Sequence, residues 1–213
     1  MTLEVTCTGM AKGAPPAPCI VVIFGVSGDL ARHTLIPSLY GLACQGLLPE
    51  SFAVVGFARR DWDDETFRED MRGIVRRKKP FREPQWQKFA RALTYVQGDF
   101  SSPASDAYAT LREKIIKRQA ERHIPDNILF HLATPPSFYG EIAQKLADAS
   151  LLHSAHGWRR MIIEKPFGDD ETSARELDRQ LLRAMEPPVA YDGPVCQLDD
   201  HLAPESQGHI AVC

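Results

Sequence analysis

The chain has 213 residues, 44% of them apolar and 25% charged, enough for one full hydrophobic core and consistent with one large globular domain, or one and a fragment. A formal charge of −3 gives no global attraction to nucleic acid or anionic lipid, so any anion site must be local, and partners of either kind are not expected. Five scattered cysteines imply a reducing, cytoplasmic setting, and no apolar run reaches the length of a membrane span.

Residues 1–18 lack the basic start and apolar centre of a secretory signal and read as a flexible lead-in. From Cys19 onward, strand-like and helix-like segments alternate. A β-branched run ends at Gly25, and an apolar helical pattern follows over 29–44 with Pro37 inside it, where the missing N–H predicts a kink or a restart. Cys19 and Cys44 fall within apolar patterns, as small hydrophobes do. A second strand spans 52–57. The helix predicted over 63–79 opens on acidic residues and closes on Arg76, Arg77, Lys78 and Lys79, the order that complements a helix dipole. No aromatic ladder accompanies that basic cluster, so it reads as a solvated helix end. A helical turn around 83–91 carries Trp86 and Phe89 as core anchors. Strand three spans 93–97, a charged helix 105–122, and a nearly continuous apolar strand 127–133. Thr134-Pro135-Pro136 then forces a bend, because proline neither continues a ladder nor enters a helix interior. Helix 137–152, strand 160–164, the loop 165–168 and a helix over 170–184 complete the pattern. Such βα alternation with buried-type strands predicts an α/β fold, a Rossmann-like, doubly wound parallel sheet over 19–185, with 186–213 a divergent tail.

The most informative segment is Gly25-Val26-Ser27-Gly28-Asp29-Leu30-Ala31-Arg32. Small residues at three-residue steps let backbone N–H groups approach a pyrophosphate, and the helix opening behind them adds partial positive charge. Strand two settles which dinucleotide is expected. An acidic residue at its end would receive ribose hydroxyls, but this strand runs into Arg59 and Arg60, whose charge suits a 2′-phosphate. NADP is therefore expected over NAD. Cys196, His201, His209 and Cys213 match no familiar zinc spacing, and no metal site is expected.

Five motifs in order, Gly25-Val-Ser-Gly-Asp-Leu-Ala31, Leu47-Leu-Pro49, Val55-Gly-Phe-Ala-Arg59, Leu132-Ala-Thr-Pro-Pro136 and Ile163-Glu-Lys-Pro-Phe-Gly168, resemble the glucose-6-phosphate dehydrogenase family over residues 19–185. The resemblance implies an oxidoreductase of glucose and carbohydrate metabolism, in the pentose phosphate pathway, that oxidises glucose 6-phosphate to its lactone with NADP. It implies coenzyme contacts from Gly25 to Arg32 and from Arg59, Ala133, Pro135, Tyr139 and Lys165. Lys165 and His201 are implied as substrate contacts. Lys165 would lie just past the carboxyl end of a strand, but its amine is a poor base without a greatly lowered pKa.

Departures from the family pattern set the remaining expectations. Thr34 stands where the family carries a lysine. In a segment whose family counterpart grips the substrate phosphate, an ungapped match puts Asp200, His201 and Pro204 at the histidine, tyrosine and lysine, whereas a one-residue deletion keeps His201 as the histidine. Carboxylate and proline both weaken a phosphate grip. The family's proton-abstracting histidine belongs to a second, α+β domain that also forms the oligomer interface, and neither is expected in this chain. No complete catalytic set is thus expected, and the chain reads as the coenzyme domain of such an enzyme, inactive alone. The alternative is a truncated or decayed paralogue that binds NADP or protein partners without catalysis.

Overall fold

Continuous apolar runs such as Phe52–Ala58 suit strands buried on both faces, and five strands of this chain form one parallel sheet. The computed structural model describes residues 16–101, 106–164, 171–185 and 211–212. The strands are β1 (Cys19–Phe24), β2 (Phe52–Ala58), β3 (Leu93–Gln97), β4 (Ile128–Leu132) and β5 (Arg159–Ile163), arranged β3-β2-β1-β4-β5. A two-residue β6 (Ala211–Val212) pairs antiparallel on the outer edge of β5. Phe24 lies beside Phe57 on one side and Leu132 on the other, so the carboxyl ends of the central strands finish level.

Side-chain alternation divides the core into two layers. Val21 and Ile23 face α1 (Ile36–Cys44), α2 (Asp64–Lys78) and α3 (Glu83–Ala90), through Tyr40, Phe67, Met71, Trp86 and Phe89. Ile20, Val22 and Phe24 face α4 (Asp106–Arg122), α5 (Tyr139–Asp148) and α6 (Glu171–Met185), through Leu111, Ile142 and Leu181. The doubly wound α/β architecture is the one the sequence predicts. Cys44 departs from its reading as a buried hydrophobe, because α1 ends there and leaves it exposed.

Pro37 shapes the entry to α1. Residues Ala31–Leu35 form a π-helical turn in which the Ile36 N–H reaches back five residues to the Ala31 carbonyl, and α1 restarts with the proline in its first turn. The ordinary partner of the His33 carbonyl would be the N–H that Pro37 lacks. Lys78 of α2 supplies it instead, its Nζ donating at 3.3 Å. A residue of the basic cluster thus braces the first helix.

The sheet edge at β3 is covered by α2. Asp63 caps that helix by accepting from the Thr66 N–H at 2.7 Å, and one residue on, the Asp64 carboxylate accepts the Tyr95 N–H at 2.7 Å. Arg68 Nε and a terminal nitrogen donate to the Leu93 carbonyl at 2.9 and 2.8 Å. Backbone groups that would otherwise template another strand are occupied by side chains.

At the opposite, amino-terminal side of β4 and β5, Asp126 is a junction. Its carboxylate accepts from Arg159 at 2.7 Å, from Gln119 at 2.8 Å, and from the Ser154 hydroxyl, while its carbonyl also accepts from Arg159. Burial opposes its ionisation, but the hydrogen bonds from Ser154, Gln119 and Arg159 together outweigh it and hold the carboxyl below its ordinary value of 3.8. Asp126→Ala is expected to cost about 1–3 kcal/mol in urea denaturation at neutral pH, the range for hydrogen bonds to charged groups. Because the folded carboxyl titrates below the unfolded one, this contribution is complete above the ordinary value and fades as pH falls through the lower folded value. Equal acid sensitivity of variant and parent below pH 3.8 would contradict that assignment.

Candidate coenzyme site

In an open α/β sheet the ligand crevice forms where the strand order reverses, here between β1 and β4. The chain leaves β1 at Gly25, whose φ of +76° is strained for any residue with a side chain. A Cβ at this position would also collide with the Ala133 carbonyl oxygen beyond β4. Gly25 N–H donates to the Phe57 carbonyl at 2.8 Å, and Ala133 N–H to the Phe24 carbonyl at 3.0 Å, fixing the turn to both neighbouring strands. The Gly28 N–H closes the turn on the Gly25 carbonyl at 2.8 Å, and Arg32 N–H returns to the Gly28 carbonyl at 3.0 Å. Val26 and Ala31 are buried beneath, whereas Gly28 and Asp29 are exposed, Ser27 and Leu30 half-buried.

Gly56 is a residue of the site that the sequence reading left without a role. A Cβ there would sit 2.6 Å from a Val26 methyl, so the glycine in β2 makes the room in which the turn seats the buried Val26. The signal was present in the Val55-Gly-Phe motif, but a glycine within a strand points to close approach without saying of what.

Positive charge is distributed unequally around the turn. Arg32 is held by Asp70 of α2 in a bidentate pair at 3.0 and 2.9 Å. Arg59, just past β2, is exposed and has no ion-pair or hydrogen-bond partner among the described residues. Arg60 lies over the Trp62 ring with its guanidinium carbon 5.1 Å from the centroid. Of these three arginines, Arg59 is the one whose guanidinium has no partner among the described residues.

The other wall comes from β4 and β5. Pro135 is exposed, and the bend ends in a short 3-10 turn, Pro136–Phe138, before α5 begins at Tyr139. Tyr139 is buried and its hydroxyl donates to the Glu164 carbonyl at 3.1 Å, bracing the exit of β5. The Glu164 carboxylate lies 3.4 Å from His131 Nε2. Burial pushes His131 down to about 4 and Glu164 above its ordinary value, while their mutual contact acts against both shifts. Thr134 Oγ1, beside Gly25, is buried and has no partner among the described residues. Lys165, Asp200, His201 and Pro204 lie outside the described residues, as do 1–15 and most of the tail. Among the described residues no cluster of three metal-ligating side chains occurs, and no helix is long and apolar enough to cross a membrane.

The turn and the free arginine fit a dinucleotide, and comparison with known proteins gives the family. The model of the glucose-6-phosphate dehydrogenase NAD-binding domain matches residues 22–203. The chain belongs to the glucose-6-phosphate dehydrogenase family. The chain is 40% identical over 196 residues to glucose-6-phosphate 1-dehydrogenase 2 of Mycobacterium bovis, covering 91% of this chain and 37% of that protein. It is 34% identical over 194 residues to the Leuconostoc mesenteroides enzyme, covering 90% of this chain and 38% of the other. A solved glucose-6-phosphate dehydrogenase in complex with its substrate glucose-6-phosphate superposes with a TM-score of 0.70 at 32% identity, over 82% of this chain and 36% of that one. The structure of the Mycobacterium avium enzyme gives 0.67 at 30% identity, over 80% and 35%. This glucose-6-phosphate dehydrogenase relative thus spans little more than a third of the length of the proteins it matches.

Proposed function

We propose that this chain is the coenzyme-binding part of an NADP-dependent glucose-6-phosphate dehydrogenase and holds NADP across the β1/β4 crevice. The observation that carries this reading is the pairing of Gly25, where a side chain would fill the cradle, with Arg59, exposed and unpaired one strand away. The turn from Gly25 to Arg32 takes the pyrophosphate through those of its backbone N–H groups that do not donate to Phe57, Gly25 or Gly28, Arg59 takes the 2′-phosphate, and Ala133, Pro135 and Tyr139 form the wall on the nicotinamide side. When bound, the nicotinamide ring supplies the carbon that accepts a hydride from the sugar. Lys165, directly after the braced Glu164, donates hydrogen bonds to substrate hydroxyls, and His201 contributes to substrate contact. The setting is cytoplasmic and the pathway that of the family, the pentose phosphate route.

These 213 residues alone are proposed to bind coenzyme with little or no turnover. Proton removal from the sugar hydroxyl needs a base near neutrality, and His131 of β4 is buried with its pKa pushed down to about 4. Thr34, in the π-helical turn, offers a hydroxyl but no charge.

Calorimetric titration tests the coenzyme reading. NADP is expected to bind more tightly than NAD, and Arg59→Gln to weaken NADP by about 10- to 100-fold while leaving NAD nearly unchanged, the effect of losing one hydrogen-bonded charge pair. Equal affinities for the two nucleotides, or no heat with either, would remove the proposal.

A further inference from the structure

A second concentration of charge lies at the other end of the sheet, at the amino side of β3. A cleft of about 1000 Å³ opens there between α2, α3 and α4, lined by Arg68, Arg72, Arg91, Arg118 and Arg122 together with four glutamates. Most of these charges are matched. Arg72 pairs with Glu83 at 2.7 Å and Glu69 at 3.3 Å, Arg118 with Glu121 at 2.7 Å, and Arg68 is spent on the Leu93 carbonyl. Arg91 and Arg122 have no acceptor for their guanidinium groups among the described residues, and Glu65 is the carboxylate of the cleft left without a cation.

The cost of this arrangement is visible. Of seven buried side-chain polar atoms without a partner among the described residues, three are the Nε atoms of Arg72, Arg118 and Arg122. Arg118 and Arg122 are one helical turn apart on α4 and face the same cleft, a like-charge spacing that destabilises a helix. Burial first, and then Arg118, lowers the pKa of Arg122, so the positive charge there is both desolvated and repelled. The negative end of the α4 dipole accounts for Arg122 in its last turn, but not for Arg118 and Arg122 lining one cleft together. Arg118 also donates to the Arg91 carbonyl, which ties the loop before β3 to the same corner.

We propose that the corner formed by Arg91, Arg118 and Arg122 is a second anion site, taking a compact, multiply charged phosphate or carboxylate remote from the coenzyme crevice. The ligand accepts from the Arg91 and Arg122 guanidinium groups, which have no acceptor among the described residues, and from the unpartnered Nε of Arg118, and its charge relieves the repulsion along α4. Trp86 and the aliphatic stems of the arginines form the apolar part of the floor.

Arginine Nε–H signals, resolved from the amide region in nitrogen–proton correlation spectra, report on this corner directly in the whole chain. Titration with pyrophosphate is expected to move the Arg118 and Arg122 signals saturably, whereas sodium chloride at matched ionic strength moves neither. Arg91→Gln, a change at an exposed side chain, is expected to weaken the pyrophosphate response about ten-fold or more, and Arg122→Gln to abolish it. Arg59→Gln, at the coenzyme crevice, leaves it unchanged. A parallel titration with citrate separates a phosphate preference from a general polyanion site. No saturable shift with either anion, an equal response to sodium chloride, or an undiminished response in Arg91→Gln would overturn the assignment.

Discussion

Gly25→Ala is expected to destabilise the domain by about 2–4 kcal/mol and to abolish measurable NADP binding, the largest single-residue effect foreseen at the crevice. Two costs combine. A φ of +76° places an alanine in the left-handed region, and the added methyl points at the Ala133 carbonyl oxygen, a backbone atom held by its own strand. Neither side can yield cheaply, because Gly25 and Ala133 are each hydrogen-bonded to the strand next door. Relief would require β1 and β4 to part at their carboxyl ends, which opens the switch point and misaims the N–H groups behind it. Gly46 is a fair control, with φ of +70° and open space around the missing Cβ. Gly46→Ala carries the backbone term alone, so its loss in thermal or urea unfolding should be about 1–2 kcal/mol, with coenzyme affinity intact. If the two variants lose the same stability and both still bind NADP, the contact with Ala133 has no role in the cradle.

The strands and the cradle were legible because their signals are local. An apolar run ended by Gly25-Val-Ser-Gly28 dictates strand, turn and helix from neighbours in sequence, and Trp86 and Phe89, 3% and 4% exposed, take the core positions that their spacing predicts. What the sequence left open depends on partners far along the chain. Pro37 announces a break, yet the form of the break, a π-helical turn whose loose carbonyl is met by Lys78, requires α2 to lie alongside. Arg32 and Arg59 look equivalent as cations, and only the fold shows that Asp70, 38 residues beyond Arg32, engages that arginine while Arg59 has no partner among the described residues. Gly56 needed Val26, and Cys44 needed knowledge of where its helix ends. The same asymmetry holds for Tyr139, which the family resemblance marks as a coenzyme contact. The structure adds a second task for it, since its hydroxyl holds the carbonyl that immediately precedes Lys165.

His131 is expected to make the domain acid-sensitive well above the carboxylate range. The imidazole is 8% exposed, its Nδ1 has no partner among the described residues, and burial pushes its pKa from 6.5 down to about 4. Between those values the unfolded chain binds a proton that the folded chain refuses, so unfolding is favoured as pH falls. The contribution is fully present above the unfolded value of 6.5, declines through the interval, and stops declining below the folded value of about 4. Integrated over that window, the loss reaches about 3 kcal/mol as an upper bound. The Glu164 carboxylate at 3.4 Å works in the other direction. It favours a protonated imidazole, and its own raised pKa means that acidification toward its ordinary value of 4.5 removes a buried charge and returns some stability. A net loss of about 1–3 kcal/mol between pH 6.5 and pH 4 is therefore expected from urea unfolding. This window lies above the one assigned to Asp126, so the two limbs separate on the pH axis. His131→Phe keeps an aromatic ring of similar size in the strand and removes both the titration and the unpartnered nitrogen. It should hold or raise stability at neutral pH and flatten the upper limb. If parent and variant instead fall together from pH 6.5, the acid sensitivity arises elsewhere and the buried imidazole is not its source.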